Sequence, residues 1–203
     1  ANTDIYAQAA DGSGREEQIV NSPGGSTKVP LGWSTRGGLF FSASNRAGGY
    51  DLWTLAAGSG ERPALLFNGE QRAQFQDATV SRDGRFVAFG STGEIYLQTL
   101  PHGPRVLVAA DGAYRARWRD DGRELYYIAN GKLMAVTVRL RAGIELGAPE
   151  TLFDIPANVP PWSLAYAPLG DGQHFLFELP VSTKPPAPLT AMLNWAAATA
   201  SPH

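Results

Sequence analysis

The amino-acid sequence predicts an all-β chain, a β-propeller of four-stranded antiparallel blades, with about four to five blades present as an incomplete or C-terminal part of a larger propeller. Three observations predict it. A polar residue, an aliphatic and a large residue open four segments, Asp4-Ile5-Tyr6, Asp51-Leu52-Trp53, Glu94-Ile95-Tyr96 and Lys132-Leu133-Met134, in steps of 47, 43 and 38 residues. A period of that size is the length of one blade. A tight turn recurs in phase with this marker at Arg36-Gly37, Asp83-Gly84, Asp121-Gly122 and Asp171-Gly172, and Asp-Gly between extended segments signals a hairpin because both residues tolerate positive φ. Helix has little support, since no window keeps a 3.6-residue apolar stripe and 23 glycines and 15 prolines interrupt the chain.

Each element follows from this phase. The runs after the turns, Leu39-Phe40-Phe41, Phe86-Val87-Ala88-Phe89, Leu125-Tyr126-Tyr127-Ile128 and Phe175-Leu176-Phe177, are apolar at consecutive positions, which suits strands buried on both faces between neighbouring blades. A unit therefore has a strand before the turn, the apolar strand after it, a third at the marker, and a fourth such as Ala64-Leu65-Leu66-Phe67, Val106-Leu107-Val108 or Thr151-Leu152-Phe153. The expected units are a partial one at 1–21, full ones at 28–67, 76–109 and 114–154, and a partial one at 162–195, with a flexible tail at 196–203. Closely spaced prolines make Pro156 to Pro161 and Pro180 to Pro188 exposed connections. About 17 strands do not divide into closed blades of four, so the edges require a cover: a second chain, or an N-terminal strand completing the last blade.

Composition narrows the partners. The net charge of −2, from 17 basic and 19 acidic residues, gives no basic field for a nucleic acid. No apolar stretch approaches the roughly 20 residues of a membrane-crossing helix. The absence of cysteine removes disulfides, thiolate metal sites and cysteine nucleophiles together. A start without methionine points to a processed product or a piece of something longer.

The segment Ser81-Arg82-Asp83-Gly84-Arg85-Phe86-Val87-Ala88-Phe89, then Glu94-Ile95-Tyr96-Leu97, resembles the S-P-D-G-x-x-I-A-F … D-I-Y pattern of TolB-type, WD40-like propeller repeats. Departures are Arg82 in place of proline, Arg119-Asp120-Asp121-Gly122 at the third turn, and Thr35-Arg36-Gly37 without the aspartate. The C-terminal stretch, Gly172-Gln173-His174-Phe175-Leu176-Phe177 and Leu189-Thr190-Ala191-Met192-Leu193-Asn194-Trp195, is similar to the final blade of propellers appended to bacterial serine/threonine kinases and related signalling proteins. That resemblance implies a natural C-terminus, missing upstream blades, a bacterial source and an extracytoplasmic position. No kinase nucleotide or catalytic-loop motif accompanies it.

Candidate chemistry is sparse. His102, His174 and His203 lack a second histidine or a carboxylate at ligand spacing, so no metal or other cofactor is expected. Asp120 and Asp121 read as turn residues rather than as calcium ligands or an acid/base pair, and Gly25-Ser26-Thr27-Lys28 lacks the order of a phosphate loop. There is no G-x-S-x-G elbow and no catalytic residue to nominate. Trp53, Tyr96, Tyr126 and Tyr127 are expected to pack between blades.

Arg115, Arg117 and Arg119 alternate along one strand and share a face, with Ala116 and Trp118 on the other. On an innermost strand they would approach the central channel and could grip a carboxylate or phosphate; otherwise they form a solvated row paired with acidic turn residues. Trp33, Tyr114 and Trp162, near the predicted entrances to inner strands, would form with Arg115 a ligand-facing rim. The expected function is a non-catalytic binding, sensor or protein-interaction module engaging a protein, a peptide or a small polar ligand. The alternatives are the accessory propeller of a hydrolase or peptidase whose catalytic domain lies elsewhere, and a scaffold that binds nothing.

Overall fold

A computed structural model describes residues 3–20, 26–36, 38–56, 62–68, 73–140, 143–155 and 165–178. In chain order the strands are β1 (Ile5–Ala7), β2 (Glu17–Val20), β3 (Lys28–Trp33), β4 (Gly38–Ser44), β5 (Tyr50–Ala56) and β6 (Ala64–Phe67). They continue with β7 (Ala73–Val80), β8 (Phe86–Ser91), β9 (Glu94–Thr99), β10 (Arg105–Ala109), β11 (Tyr114–Trp118), β12 (Glu124–Ala129) and β13 (Lys132–Arg139). The last are β14 (Glu145–Leu146), β15 (Glu150–Asp154), β16 (Tyr166–Pro168) and β17 (Phe175–Phe177). No helix occurs among the described residues, so none is long and apolar enough to cross a membrane. The prolines at 156–161 and 180–188, and the stretch 189–195, lie outside the described residues.

The strands form antiparallel meanders in the expected order. β3-β4-β5-β6 is one blade and β7-β8-β9-β10 the next. In the third, β11-β12-β13 is completed by β15 along the first part of β13, while the two-residue β14, which sequence patterning misses, pairs with the end of β13. A two-stranded sheet stands at either end of the array, β1-β2 and β16-β17. The chain is therefore an all-β, partial propeller, with three complete blades among the described residues. The first strands β3, β7, β11 and β16 lie side by side as its inner layer.

Burial explains why the second strands are uninterruptedly apolar. Phe86 and Ala88 of β8 enter a core with Ala116, Trp118 and Leu125 of the following blade, whereas Val87 and Phe89 enter another with Leu52, next to Leu66 and Phe67 of the preceding one. Likewise Leu39 and Phe41 pack with Ile5 and Val20, and Tyr126 and Ile128 with Tyr166. Each blade junction is thus its own hydrophobic cluster, and a strand between two junctions has no polar face.

The Asp-Gly turns make the junctions close. Asp83, Asp121 and Asp171 each accept, through Oδ1, the backbone N–H two residues on, from Arg85, Arg123 and Gln173. Gly84, at φ 71°, presses on the preceding blade so closely that a β-carbon there would lie 2.9 Å from the Ser34 Cβ. Beside it the Thr35 N–H donates to the Arg82 carbonyl at 2.8 Å, a backbone bond between blades. In the last turn, hydrogen bonds from the Gln173 N–H and from the His174 ring and N–H hold the Asp171 carboxyl down at about 2. Because this folded value lies below the unfolded one of about 4, its stabilisation is present above pH 4 and is lost as pH falls toward 2. A carboxyl NMR titration should place the Asp171 midpoint near pH 2, and Asp171→Asn should remove that part of the acid sensitivity.

Candidate functional site

The inner layer brings charged side chains together where three blades meet. β7 contributes Asp77, β11 contributes Arg115 and Arg117, and β16 contributes Tyr166. Arg117 Nη2 donates to Asp77 Oδ1 at 2.7 Å, and Arg115 Nη1 lies 3.1 Å from the same oxygen. Arg117 Nη1 donates to the Ala116 carbonyl at 2.7 Å, and its guanidinium sits 5.9 Å from the centroid of the Tyr166 ring. The Tyr166 hydroxyl donates to the Arg115 carbonyl at 2.8 Å. Burial pushes the Tyr166 phenol far above its ordinary range, so it remains a neutral donor.

Local backbone geometry aims these groups. β11 pairs Tyr114 with Ile128 and Arg117 with Tyr126, so the register shifts between them, and Arg115 at the shift has φ 59°. A non-glycine residue in the left-handed region is sterically disfavoured, by roughly 1–3 kcal/mol, and such strain concentrates at ligand-binding positions. The bulge turns Arg115 back toward β7, while the rest of the strand alternates as expected, with Ala116 and Trp118 buried in the core.

The other sequence candidates fall elsewhere. Arg119 belongs to the turn side: Nη1 donates to Glu124 Oε2 at 3.1 Å and Nε lies 3.4 Å from Asp121 Oδ2. The Glu124 bond helps keep the guanidinium charged, and its Nε would lie 2.8 Å from a β-carbon at Gly172. It packs close to the turn of the next blade and stands apart from the Arg115–Arg117 pair. Trp33, exposed at the end of β3, pairs with Leu39 as Trp118 pairs with Leu125. It is therefore level with the exit of the inner strands, whereas half-buried Tyr114 stands at their entrance, its phenol shifted upward by burial. Trp162 lies outside the described residues, as does His203. Among the described residues no group of three metal-ligating side chains is assembled.

Sequence reading missed Asp77. The signal was available: the Asp83-Gly84 and Asp121-Gly122 turns are 38 residues apart, and 38 residues before Arg115 stands Asp77, on the equivalent position of the previous inner strand. Two cavities lie at the turns, lined by none of Asp77, Arg115, Arg117 and Tyr166. One of about 360 Å³ is bounded by the turns of all three blades at Thr35, Asp83 and Asp121, and one of about 270 Å³ lies between the first two blades, under Arg36 and Arg85.

No family model matches the chain, and no curated protein is similar to it. Solved structures are similar in fold. The crystal structure of a putative 6-phosphogluconolactonase from Bacteroides uniformis superposes with a TM-score of 0.51 at 13% identity, over 86% of this chain and 56% of that one. The β-propeller domain of Myceliophteria thermophila Cps50 (Swd1) has a TM-score of 0.42 at 13% identity, over 67% of this chain and 47% of that one. The chain thus spans just over half the length of the first. The likeness to it concerns the fold alone, a propeller.

Proposed function

We propose that this chain is a non-catalytic binding module whose inner wall recognises an anionic group, a carboxylate or phosphate carried by a peptide or small polar ligand. The observation that supports the reading is the convergence of two guanidiniums, Arg115 and Arg117, on one oxygen of Asp77, all three side chains part-exposed. A planar guanidinium already oriented by its neighbours loses little freedom on gripping an oxyanion. A ligand anion meets Arg117 with one edge held by Asp77 and one face toward Tyr166. The resemblance of the C-terminal stretch to blades appended to bacterial signalling proteins supports a binding or sensor role in a bacterial signalling or envelope protein, extracytoplasmic in position.

Calorimetric titration with inorganic phosphate, citrate and an acidic peptide tests this. At least one probe should bind saturably, and Arg117→Ala should weaken it about ten- to a hundredfold, the worth of one charged hydrogen bond. Arg36→Ala, on the exposed first turn, should leave it unchanged. Failure of all three probes to bind would refute the reading. The accessory propeller of a hydrolase is a second reading, supported by the fold likeness to the structure named as a putative 6-phosphogluconolactonase. A catalytic domain encoded next to these blades would favour that one, and a kinase or regulatory domain there would favour the sensor.

A further inference from the structure

The two end sheets are complementary halves of one blade. β1-β2 occupies third and fourth positions: Ile5 pairs with Val20 and Tyr6 with Gln18, a register shift between the second and third marker residues. The same shift falls between Leu52 and Trp53, between Leu133 and Met134, and opposite Ile95 and Tyr96. β1 also lies against β3 as β5 lies against β7 and β9 against β11. β16-β17 occupies first and second positions, because Pro168 pairs with Phe175 across its Asp-Gly turn as Val80 pairs with Val87 and Trp118 with Leu125. Among the described residues β1 pairs with β2 and β17 with β16, and these two edges do not meet each other.

The side chains uncovered at these ends have buried counterparts inside the array. Leu176 holds the register position of Phe40, Ala88 and Tyr126, which are at most 6% exposed, yet it is 65% exposed. Trp33 holds the position of Trp118 but is 54% exposed against 8%. Tyr6 holds that of Trp53 and Tyr96, whose rings stack on Phe41 and Phe89 of the adjacent second strand at 6.4 and 5.9 Å. Phe177 is the residue of β17 in the position of Phe41 and Phe89, and Tyr6 is 54% exposed. Leu176, Trp33 and Tyr6 are the three most exposed large apolar side chains of the described residues.

We propose that a second copy of this chain supplies the missing half: β1-β2 of one copy adds to the edge of β17 of the other, making a composite four-stranded blade. The repeat dictates the register, with Phe177 opposite Tyr6 of the second copy and Leu176 opposite its Ala7. Leu176 then lies on Trp33 of the second copy, as Ala88 shares a core with Trp118, and that Tyr6 lies beside Phe153 of β15. Each copy carries both halves, so a two-fold arrangement closes two composite blades and three complete blades per copy into a ring of eight, within the known range of propellers. Closure pairs the two edges that stand apart among the described residues.

Light scattering after size exclusion should give a mass about twice 21.7 kDa. The chain has no cysteine, so Tyr6→Cys and Phe177→Cys can be made separately and mixed under oxidation. Directly opposed residues of an antiparallel pair, about 4.5–5.5 Å apart at Cα, fall within disulfide reach. The mixture should yield a covalent two-chain species that neither variant forms alone, and Leu176→Arg, with an unchanged circular dichroism spectrum, should shift the mass toward one chain. A monomer at every concentration, which would mean that the edge of β17 is covered from within its own chain, would overturn the proposal. So would a dimer in which the mixed cysteines never join. Neither result bears on the anion site, whose residues lie in β7, β11 and β16 of one chain.

Discussion

Phe89→Ala is expected to destabilise the fold by about 3–5 kcal/mol, the range for truncating a buried phenylalanine. Phe89 sits at the middle of β8, buried, with the Phe75 ring at 4.6 Å on one side and the Tyr96 ring at 5.9 Å on the other. Its cluster is the junction between the first and second complete blades, and antiparallel blades pinned on both faces have little room to collapse into the vacated space. For a chain of this size each kcal/mol lowers the melting temperature by about 2–4 °C, so thermal unfolding should move down by roughly 6–20 °C. Leu107→Ala, on the exposed side of an outer strand, should stay within about 0.5 kcal/mol of the parent. Equal losses at the two positions would refute the claim that the blade junctions carry the stability.

Asp4→Ala should be the second large effect, and its asymmetry is the informative part. Lys28 opens β3 with its side chain almost wholly buried, and Nζ donates to Asp4 Oδ1 at 2.5 Å and to the Thr3 carbonyl at 3.2 Å. The Lys28 N–H in turn donates to Thr3 Oγ1, so the strand entering β1 is tied to the first blade by backbone and charge together. Removing Asp4 takes the paired carboxylate from a buried ammonium whose other acceptors are the neutral Thr3 and Ser26 carbonyls, a loss of about 2–4 kcal/mol, somewhat reduced because Asp4 is itself partly solvated. Lys28→Met keeps the volume and leaves a carboxylate that can rehydrate, so it should change stability far less. Adding Lys28→Met to Asp4→Ala should restore most of what was lost. Denaturant unfolding of the three variants measures this, and equal losses for the two single variants would contradict the burial argument.

Much of the architecture was legible because it is repeated. The marker at Asp51, Glu94 and Lys132 places the third strands β5, β9 and β13, and the turns at Asp83, Asp121 and Asp171 place the second strands that follow them. Uninterrupted apolar runs such as Phe86 to Phe89 announce burial on two faces before any coordinates exist, and the four clusters at the blade junctions show it. The short β14 was not legible, since two residues carry no periodicity.

The candidate site was half legible. Strand alternation puts Arg115 and Arg117 on one face of β11, but alternation describes a strand against its own sheet, and their partner Asp77 belongs to another blade 40 residues from Arg117. The predicted entrances to the inner strands put Trp33 with Tyr114 on one rim, whereas pairing places Trp33 level with Trp118.

What the sequence determined by itself was therefore everything set within a repeat: the number of strands per blade, their order, the turns between them and the faces they bury. Only the tertiary structure decided what lies between repeats: which carboxylate holds the two arginines, that Arg119 serves a turn, and that Leu176, Trp33 and Tyr6 are exposed on the outermost sheets of the described residues. The reason is physical. Strand pairing and turn geometry are governed by residues close in sequence, whereas the stacking of blades brings together side chains whose separation is a whole repeat or the whole array.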